Sequence, residues 1–286
     1  MKILIEPATK NYFNSSVSGI IVYLDGFSTQ ANCYYTIDEI KSFKKENPSV
    51  EIFVSINRNF FNEDIEDLKN ILIQLDGIGI TAVIFYDLAI LQLKKELNLK
   101  LDLVWSQTHM VNNYKTCNYY HKKGIKFAYL SKEITKEEIK EIAENSEILT
   151  IVEVVGLPTV AYSRRSLITN YYKDLDKDGK PCLSVTEKLT NKEYLLTEDK
   201  FGTNFTLNEL VNGTSYIKEF YESNVSYIVL KQDNLDSDLY DTLVVDTKDY
   251  INKNCKDESY LEKYKKLGNF TNFFELKTYY QVKKHE

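Results

Sequence analysis

Strand-like and helix-like segments alternate along most of the chain, and this alternation limits the fold more than any other feature. Runs rich in β-branched and aromatic residues are typical of buried strands, and helix-like segments follow most of them. The runs are 2–5, 20–24, 51–56, 81–86, 101–105, 126–130, 148–155 and 226–230. Eight such units predict an α/β fold and favour a closed (β/α)8 barrel of the TIM type over an open doubly wound sheet.

Capping residues mark where several helices begin and end. Thr36 with Glu39 forms a capping box, Thr135 is a second N-cap, and Gly124 suits a helix end. We predict a helix that Asn62 caps and that Gly77 and Gly79 end. Further helices are predicted over 36–46, 88–97, 111–123, 135–145, 207–223 and 236–254.

The alternation is weak in three places. Residues 6–19 are too few for a confident helix, so we expect an irregular barrel there. After the seventh strand, polar clusters over 172–203 predict an inserted hairpin or loop region. We assign residues 1–255 to the barrel and 256–286 to a charged, aromatic tail that packs on it.

Composition and charge exclude several classes of protein. The net charge of −6 provides no global basic field for nucleic acid, so any such contact is local or shared with a partner. The four cysteines lack metal-ligand or disulfide-framework spacing, and no glycine-rich nucleotide motif follows a strand. No signal segment or apolar run of membrane length is present, so we expect a cytoplasmic protein without a membrane partner.

Functional groups of such barrels lie at the carboxyl ends of the strands. We predict that His109 and Glu153 are catalytic, because a histidine beside a carboxylate-rich rim suits proton transfer near neutral pH. The strand-end residues predicted to bind a ligand are Asn57, Asp87, Gln107 and Lys231. The other residues at these strand-end positions are Glu6, Asp25, Arg58, Ser131, Lys132, Glu133, Gly156, Gln232 and Asp233. The alternative is a structural role, because strand ends are polar in most barrels.

The densest signal lies in residues 154–172. Only three of the 36 basic residues are arginines, and two of them are adjacent in this segment. The predicted ligand-binding residues here are Ser163, Arg164, Arg165, Asn170 and Tyr171. Two planar guanidinium groups beside phenol rings suit a phosphate or carboxylate that is bound bidentately next to an aromatic face. Alternatively, one arginine pairs with a rim carboxylate such as Glu133 or Glu153 and only shapes the loop.

The same segment resembles the signature of the peptidase U32 family, the collagenase-like protease family. That signature is a strand, His-Gly, a cysteine segment and then S-x-R-[CS]-L-x-x-N-Y. The matching positions are Gly156, Ser163, Arg165, Leu167, Asn170 and Tyr171. Similar material extends over residues 1–255, and the resemblance implies a TIM-like barrel.

The chain's length is similar to that of short family members that take part in 5-hydroxyuridine formation at the tRNA wobble position by a prephenate-dependent route. The resemblance therefore implies tRNA, a small anionic ligand and a second U32-family subunit as partners. Two alternatives remain: a collagenase-like peptidase, which is a hydrolase, and a non-catalytic subunit of a hetero-oligomer.

Departures from the signature bear on cofactors and activity. Val155 stands at the signature histidine, and Thr159 and Ser166 stand at two signature cysteines. Only Cys182 lies in the region of the later cysteine pair, and one thiolate cannot hold an iron–sulfur cluster of four cysteines. We therefore expect neither cofactor nor metal, and the sequence leaves open whether the chain is an enzyme.

Overall fold

Eight parallel strands close into a barrel in the computed structural model, which describes residues 1–10, 12–268 and 273–277. Counting those outside the barrel, the described residues form the strands β1 (Lys2–Glu6), β2 (Gly19–Leu24), β3 (Tyr34–Tyr35), β4 (Glu51–Ile56), β5 (Ala82–Phe85), β6 (Asp102–Trp105), β7 (Phe127–Tyr129), β8 (Leu149–Gly156), β9 (Thr159–Ser163), β10 (Cys182–Thr186), β11 (Glu193–Asp199), β12 (Gly202–Leu207), β13 (Val211–Asn212) and β14 (Tyr227–Lys231). The barrel order is β1-β2-β4-β5-β6-β7-β8-β14. It closes because Leu4 of β1 pairs with Gly19 on one side and Val229 on the other. The predicted TIM-like barrel is confirmed.

Helices connect most of these strands. They are α1 (Ile37–Glu46), α2 (Ile65–Ile78), α3 (Ala89–Glu96), α4 (Tyr114–Lys122), α5 (Lys136–Asn145), α6 (Leu167–Asp174), α7 (Ile217–Glu222), α8 (Ser237–Asn252) and α9 (Glu258–Tyr264). A capping box begins α1 at Thr36, as predicted, and the predicted N-cap Thr135 begins α5, also as a capping box with Glu138. Within the described ranges, no helix has both the length and the apolarity needed to cross a membrane.

Two predicted helices differ from the structure for local reasons. Residues 62–64 form a 3₁₀ turn before α2, because the Asp64 side chain accepts a hydrogen bond from the Phe61 N–H at 2.7 Å. The helix predicted over 207–223 is wrong in its first part. There Leu207 ends β12 and Val211–Asn212 pair with β8 as β13. The Asn212 side chain then accepts hydrogen bonds from Thr214 in a 3₁₀ turn, so the helix begins only at Ile217.

Alternation along the barrel strands separates two apolar layers. One layer lies between strands and helices, and the other fills the barrel. Inside, the rings of Phe53, Phe127 and Tyr227 meet edge to face with centroids 5.4 to 5.8 Å apart. The centre is therefore a packed core, and barrels of this type hold their functional groups at the carboxyl ends of the strands.

The insertion after β8 is an antiparallel sheet in the order β10-β11-β12-β9, with α6 between β9 and β10. It spans 159–207 and so includes the double arginine as well as residues 172–203. Asp199 accepts hydrogen bonds from Tyr34 Oη at 3.1 Å and Thr29 Oγ1 at 3.4 Å. These bonds hold the inserted sheet against the loops at the carboxyl end of the barrel, which we call the mouth.

The described part of the tail lies against the barrel. Asn212 Nδ2 donates to the Tyr264 carbonyl at 2.8 Å, and Lys136 N–H donates to the Phe274 carbonyl at 3.0 Å. Phe274 is buried against Tyr216 and Phe220. Residues 269–272 and 278–286 of the predicted tail lie outside the described residues.

Candidate functional site

Charged side chains from different strands meet at the mouth. Lys231 Nζ, at the end of β14, lies 3.1 Å from Glu6 Oε1 of β1 and 3.8 Å from Asp233 Oδ1. Lys132 Nζ lies 2.7 Å from Glu153 Oε2 of β8. We call Glu6, Lys132, Glu153, Lys231 and Asp233 the mouth cluster. Its three carboxylates and two ammonium groups give a net charge of −1 when all are ionised.

The centre of the cluster is shielded from solvent. Glu6 is 3% exposed, Lys231 6% and Glu153 8%. Two buried phenols donate to the carboxylates: Tyr23 Oη to Glu6 at 3.1 Å and Tyr129 Oη to Glu153 at 2.8 Å. Burial of this many polar groups is costly unless they pair, and here they pair with one another.

Burial and mutual attraction set the protonation of the cluster. Burial raises the pKa of Glu6, and Lys231 offsets part of that effect. Burial acts to lower the pKa of Lys231, but Asp233, Glu6 and Glu153 outweigh it, so this pKa lies well above its usual value. Burial also acts to raise the pKa of Asp233, but Lys231 and the Leu157 N–H outweigh it and lower that pKa.

These shifts define what the cluster can do chemically. Lys231 stays an ammonium and Asp233 a carboxylate near neutral pH. Burial likewise raises the pKa values of Tyr23 and Tyr129, so both phenols keep their protons. Burial raises the pKa of Glu6, so this carboxyl takes up a proton more readily than an exposed glutamate. The cluster thus offers hydrogen-bond donors and one acid–base group in a site that is shielded from water.

Two backbone features allow the cluster to form. A Cβ on Gly156 would lie 2.9 Å from Lys231 Cδ and 3.0 Å from Glu153 Oε1, so only glycine leaves room for both side chains. Asp233 has a φ of 43°, in the left-handed region. In that conformation its carboxylate accepts from the Leu157 N–H at 2.5 Å and from Asn32 Nδ2 at 2.9 Å.

The raised pKa of Glu6 predicts the direction in which the stability of the fold changes with pH. A carboxyl with a higher pKa in the folded state stabilises the fold most below its unfolded pKa, and this contribution is lost as pH rises through the folded pKa. As the pH rises from 4 to 7, we expect the thermal unfolding midpoint of Glu6→Gln to increase relative to that of wild type. Calorimetric unfolding of both proteins across this range checks it, and a difference that is constant or moves the other way would contradict it.

Three predicted ligand-binding residues hold the rim backbone. Asn57 Oδ1 accepts from the Thr29 N–H at 2.9 Å, and Asp87 Oδ2 accepts from a backbone N–H after β4 at 3.0 Å. Gln107 Nε2 donates to the Tyr86 carbonyl at 2.8 Å. These side chains are therefore engaged in joining loops.

The two predicted catalytic residues lie apart. Glu153 belongs to the mouth cluster, whereas His109 Nδ1 lies 2.9 Å from Glu133 Oε2 on the rim. The His109 side chain is 69% exposed and makes no hydrogen bond with Glu153. Lys231, predicted to bind a ligand, lies at the centre of the cluster.

The double-arginine block lies on the inserted sheet and α6. Arg164 is exposed, and its guanidinium carbon lies 4.1 Å from the Phe61 ring centroid. Arg165 is exposed and forms no salt bridge with a described residue; its N–H donates to Ser163 Oγ at 3.3 Å. Asn170 and Tyr171, on α6, are also exposed. The block therefore borders the mouth and is not part of the cluster.

Tyr23 and Tyr129 were missed by sequence reasoning. Each lies inside a strand, two residues after an inward-facing apolar residue, Ile21 and Phe127 respectively. The alternation of strand residues could have placed both phenols in the barrel.

The cysteines do not suit an iron–sulfur cluster. They lie on separate elements: Cys117 in α4 and Cys255 after α8 are buried, Cys33 is half-buried and Cys182 is exposed in β10. Burial raises the pKa of Cys117 to about 12 and that of Cys255 to about 11. In the described ranges, no group of three or more His, Cys, Asp or Glu side chains is placed to hold a metal ion.

The closed (β/α)8 barrel defines a TIM-barrel protein, and its buried polar cluster is a candidate site at the carboxyl ends of the strands. Within that class, the chain belongs to peptidase family U32, whose family model matches residues 24–280. A solved structure described as the U32 peptidase Mk0906 shares the fold, with a TM-score of 0.50 at 12% identity. The match covers 81% of this chain and 92% of that one.

Two curated relatives come from Bacillus subtilis (strain 168). The tRNA hydroxylation protein P2 is 32% identical over 54% of this chain and 52% of its own length. The tRNA hydroxylation protein P1 is 24% identical over 52% of this chain and 36% of its own length. The matches thus span about half or less of the length of these relatives.

Proposed function

We propose that the chain takes part in hydroxylation of the wobble uridine of tRNA in the cytoplasm, with the mouth cluster as its reactive centre. The buried cluster of Glu6, Lys231 and Glu153 supports this proposal, because barrels of this type hold their reactive groups at the strand ends. Similarity to two tRNA hydroxylation proteins supplies the substrate class.

The chemistry of the cluster suits a uracil ring. Uracil presents two carbonyl oxygens and one N–H on its edges. Lys231, whose ammonium group carries three N–H donors, provides donors for such oxygens, and the carboxylates of Glu6 and Glu153 provide acceptors for an N–H. Shielding from water strengthens these bonds. Glu6 is the carboxyl that exchanges a proton with the bound base.

A negatively charged ligand fits the rim better than the cluster. The cluster already has a net charge of −1, whereas Arg164 and Arg165 are exposed and extend from the inserted sheet. We propose that these arginines bind an RNA phosphate or the carboxylate of a small anionic ligand. A second U32-family subunit then supplies parts of the longer relatives that this chain does not match.

Deletion of the gene tests the proposal. We expect 5-hydroxyuridine and nucleosides derived from it to fall to background in digested tRNA, measured by mass spectrometry, and a plasmid copy to restore them. An unchanged nucleoside profile would overturn the proposed function. No contact among the described residues favours a peptidase function. His109 pairs with Glu133 and His121 with Glu147, so neither histidine is paired with a serine or cysteine.

A further inference from the structure

Phenylalanine rings beside the mouth are stacked with arginines. The Arg58 guanidinium carbon lies 4.5 Å from the Phe60 ring centroid and 4.6 Å from that of Phe201. Arg164 stacks on Phe61 at 4.1 Å. A chain with so few arginines uses two of its three here, which indicates a role for the planar guanidinium that lysine cannot fill.

The stacked groups are held in place from below. The Arg58 side chain is only 13% exposed, and its Nη2 pairs with Asp64 Oδ1 at 2.9 Å. The other oxygen of Asp64 accepts from the Phe61 N–H at 2.7 Å. That hydrogen bond and Arg58 lower the pKa of Asp64, so the pair stays ionised near neutral pH. Arg58 therefore fixes the turn that presents Phe61.

The outer layer of the stack is open to solvent. Phe61 is 51% exposed, and Arg164 and Lys200 are exposed as well. Lys200 lies 5.0 Å from the Phe201 ring centroid. Arg164 and Lys200 form no salt bridge with a described residue. A half-exposed ring beside two such cations is typical of a surface that stacks bases and attracts phosphates.

The surface borders the mouth cluster through one loop. Thr29, between β2 and β3, and Tyr34, the first residue of β3, bind Asp199 of the inserted sheet, and Asn32 binds Asp233 of the cluster. The same short segment thus contacts both the inserted sheet and the cluster. An RNA loop on this surface can place a neighbouring nucleotide at the mouth.

We propose that Phe61 and Arg164, which we call the rim platform, stack an unpaired base of the substrate RNA while Arg165 and Lys200 contact its phosphates. The proposal rests on the proposed function and deepens it, because it names the surface and the form of RNA recognised. Stacking on an aromatic face tolerates any base but requires that the base be unpaired. The rim platform therefore selects a loop and not a duplex.

The test measures binding of a fluorescein-labelled RNA hairpin with an unpaired, uridine-containing loop to the full chain, beside a blunt RNA duplex of equal length. We expect the hairpin to bind more tightly than the duplex. Phe61→Ser and Arg164→Lys are each expected to raise the Kd for the hairpin about tenfold and to leave that for the duplex nearly unchanged. Tyr119→Ser is the matched control, because Tyr119 is 57% exposed beside Lys123 on α4.

The outcomes separate this proposal from the proposed function. Hairpin binding that is absent in wild type, or unchanged in Phe61→Ser, overturns the rim platform. So does equal weakening by Tyr119→Ser. If Arg164→Lys binds like wild type, the guanidinium acts only as a charge and stacking by it is wrong. Each of these results leaves the effect of gene deletion on tRNA as an independent test of the function. Unchanged thermal unfolding midpoints show that the variants are folded.

Discussion

Lys231→Met is expected to lower the free energy of unfolding by about 3–5 kcal/mol. The substitution keeps the length of the side chain but removes the ammonium group from between Glu6 and Asp233. Because these carboxylates are buried with Glu153, their repulsion is screened only weakly. Denaturant unfolding followed by circular dichroism measures the loss.

Two variants make this result specific. Lys231→Met combined with Glu6→Gln returns the net charge of the cluster to −1, so we expect it to recover part of the lost stability. Lys126→Met removes a partner of Asp102 in an exposed pair of 2.7 Å and is expected to cost no more than about 1 kcal/mol. Equal losses for Lys231→Met and Lys126→Met would show that the mouth cluster is not energetically coupled.

Phe274→Ala is expected to lower stability by about 3 kcal/mol, the second largest effect. Phe274 is 5% exposed, with its ring centroid 5.3 Å from that of Tyr216 and 5.9 Å from that of Phe220. It also lines a cavity next to Lys132 and Glu153, so its loss opens a void beside the mouth cluster.

Leu276→Ala is the matched control for the tail. Leu276 lies two residues further on and is 53% exposed, so its truncation is expected to change stability by less than about 0.5 kcal/mol. Thermal unfolding of the two variants measures the difference. If Phe274→Ala is as harmless as Leu276→Ala, the segment 273–277 does not stabilise the barrel.

The alternation of strand-like and helix-like segments, together with helix capping residues, predicted most of the fold. The barrel followed from eight apolar runs, and α1 and α5 begin at the predicted N-caps Thr36 and Thr135. The inserted sheet was predicted only as a polar hairpin or loop region. Its strands are partly exposed, so they lack the apolar alternation that marks a buried strand.

The candidate site was predicted less completely. Glu153 and Lys231 followed from their strand-end positions, and the structure brings both into the mouth cluster. The double arginine is prominent in the sequence, yet it lies on the inserted sheet, and its partner Phe61 is about a hundred residues away in the chain. Pairing between distant loops depends on how the insertion folds back, and no local pattern encodes it.

The central claim is that the mouth cluster acts in tRNA hydroxylation. The most direct test replaces the chromosomal gene by the charge-balanced variant Lys231→Met with Glu6→Gln and quantifies 5-hydroxyuridine in wobble-position digests of tRNA. Lys126→Met serves as the control, and immunoblotting confirms equal protein levels. We predict loss of the modified nucleoside in the cluster variant and its retention in the control. A wild-type level of the nucleoside in cells that contain the folded cluster variant would contradict the claim.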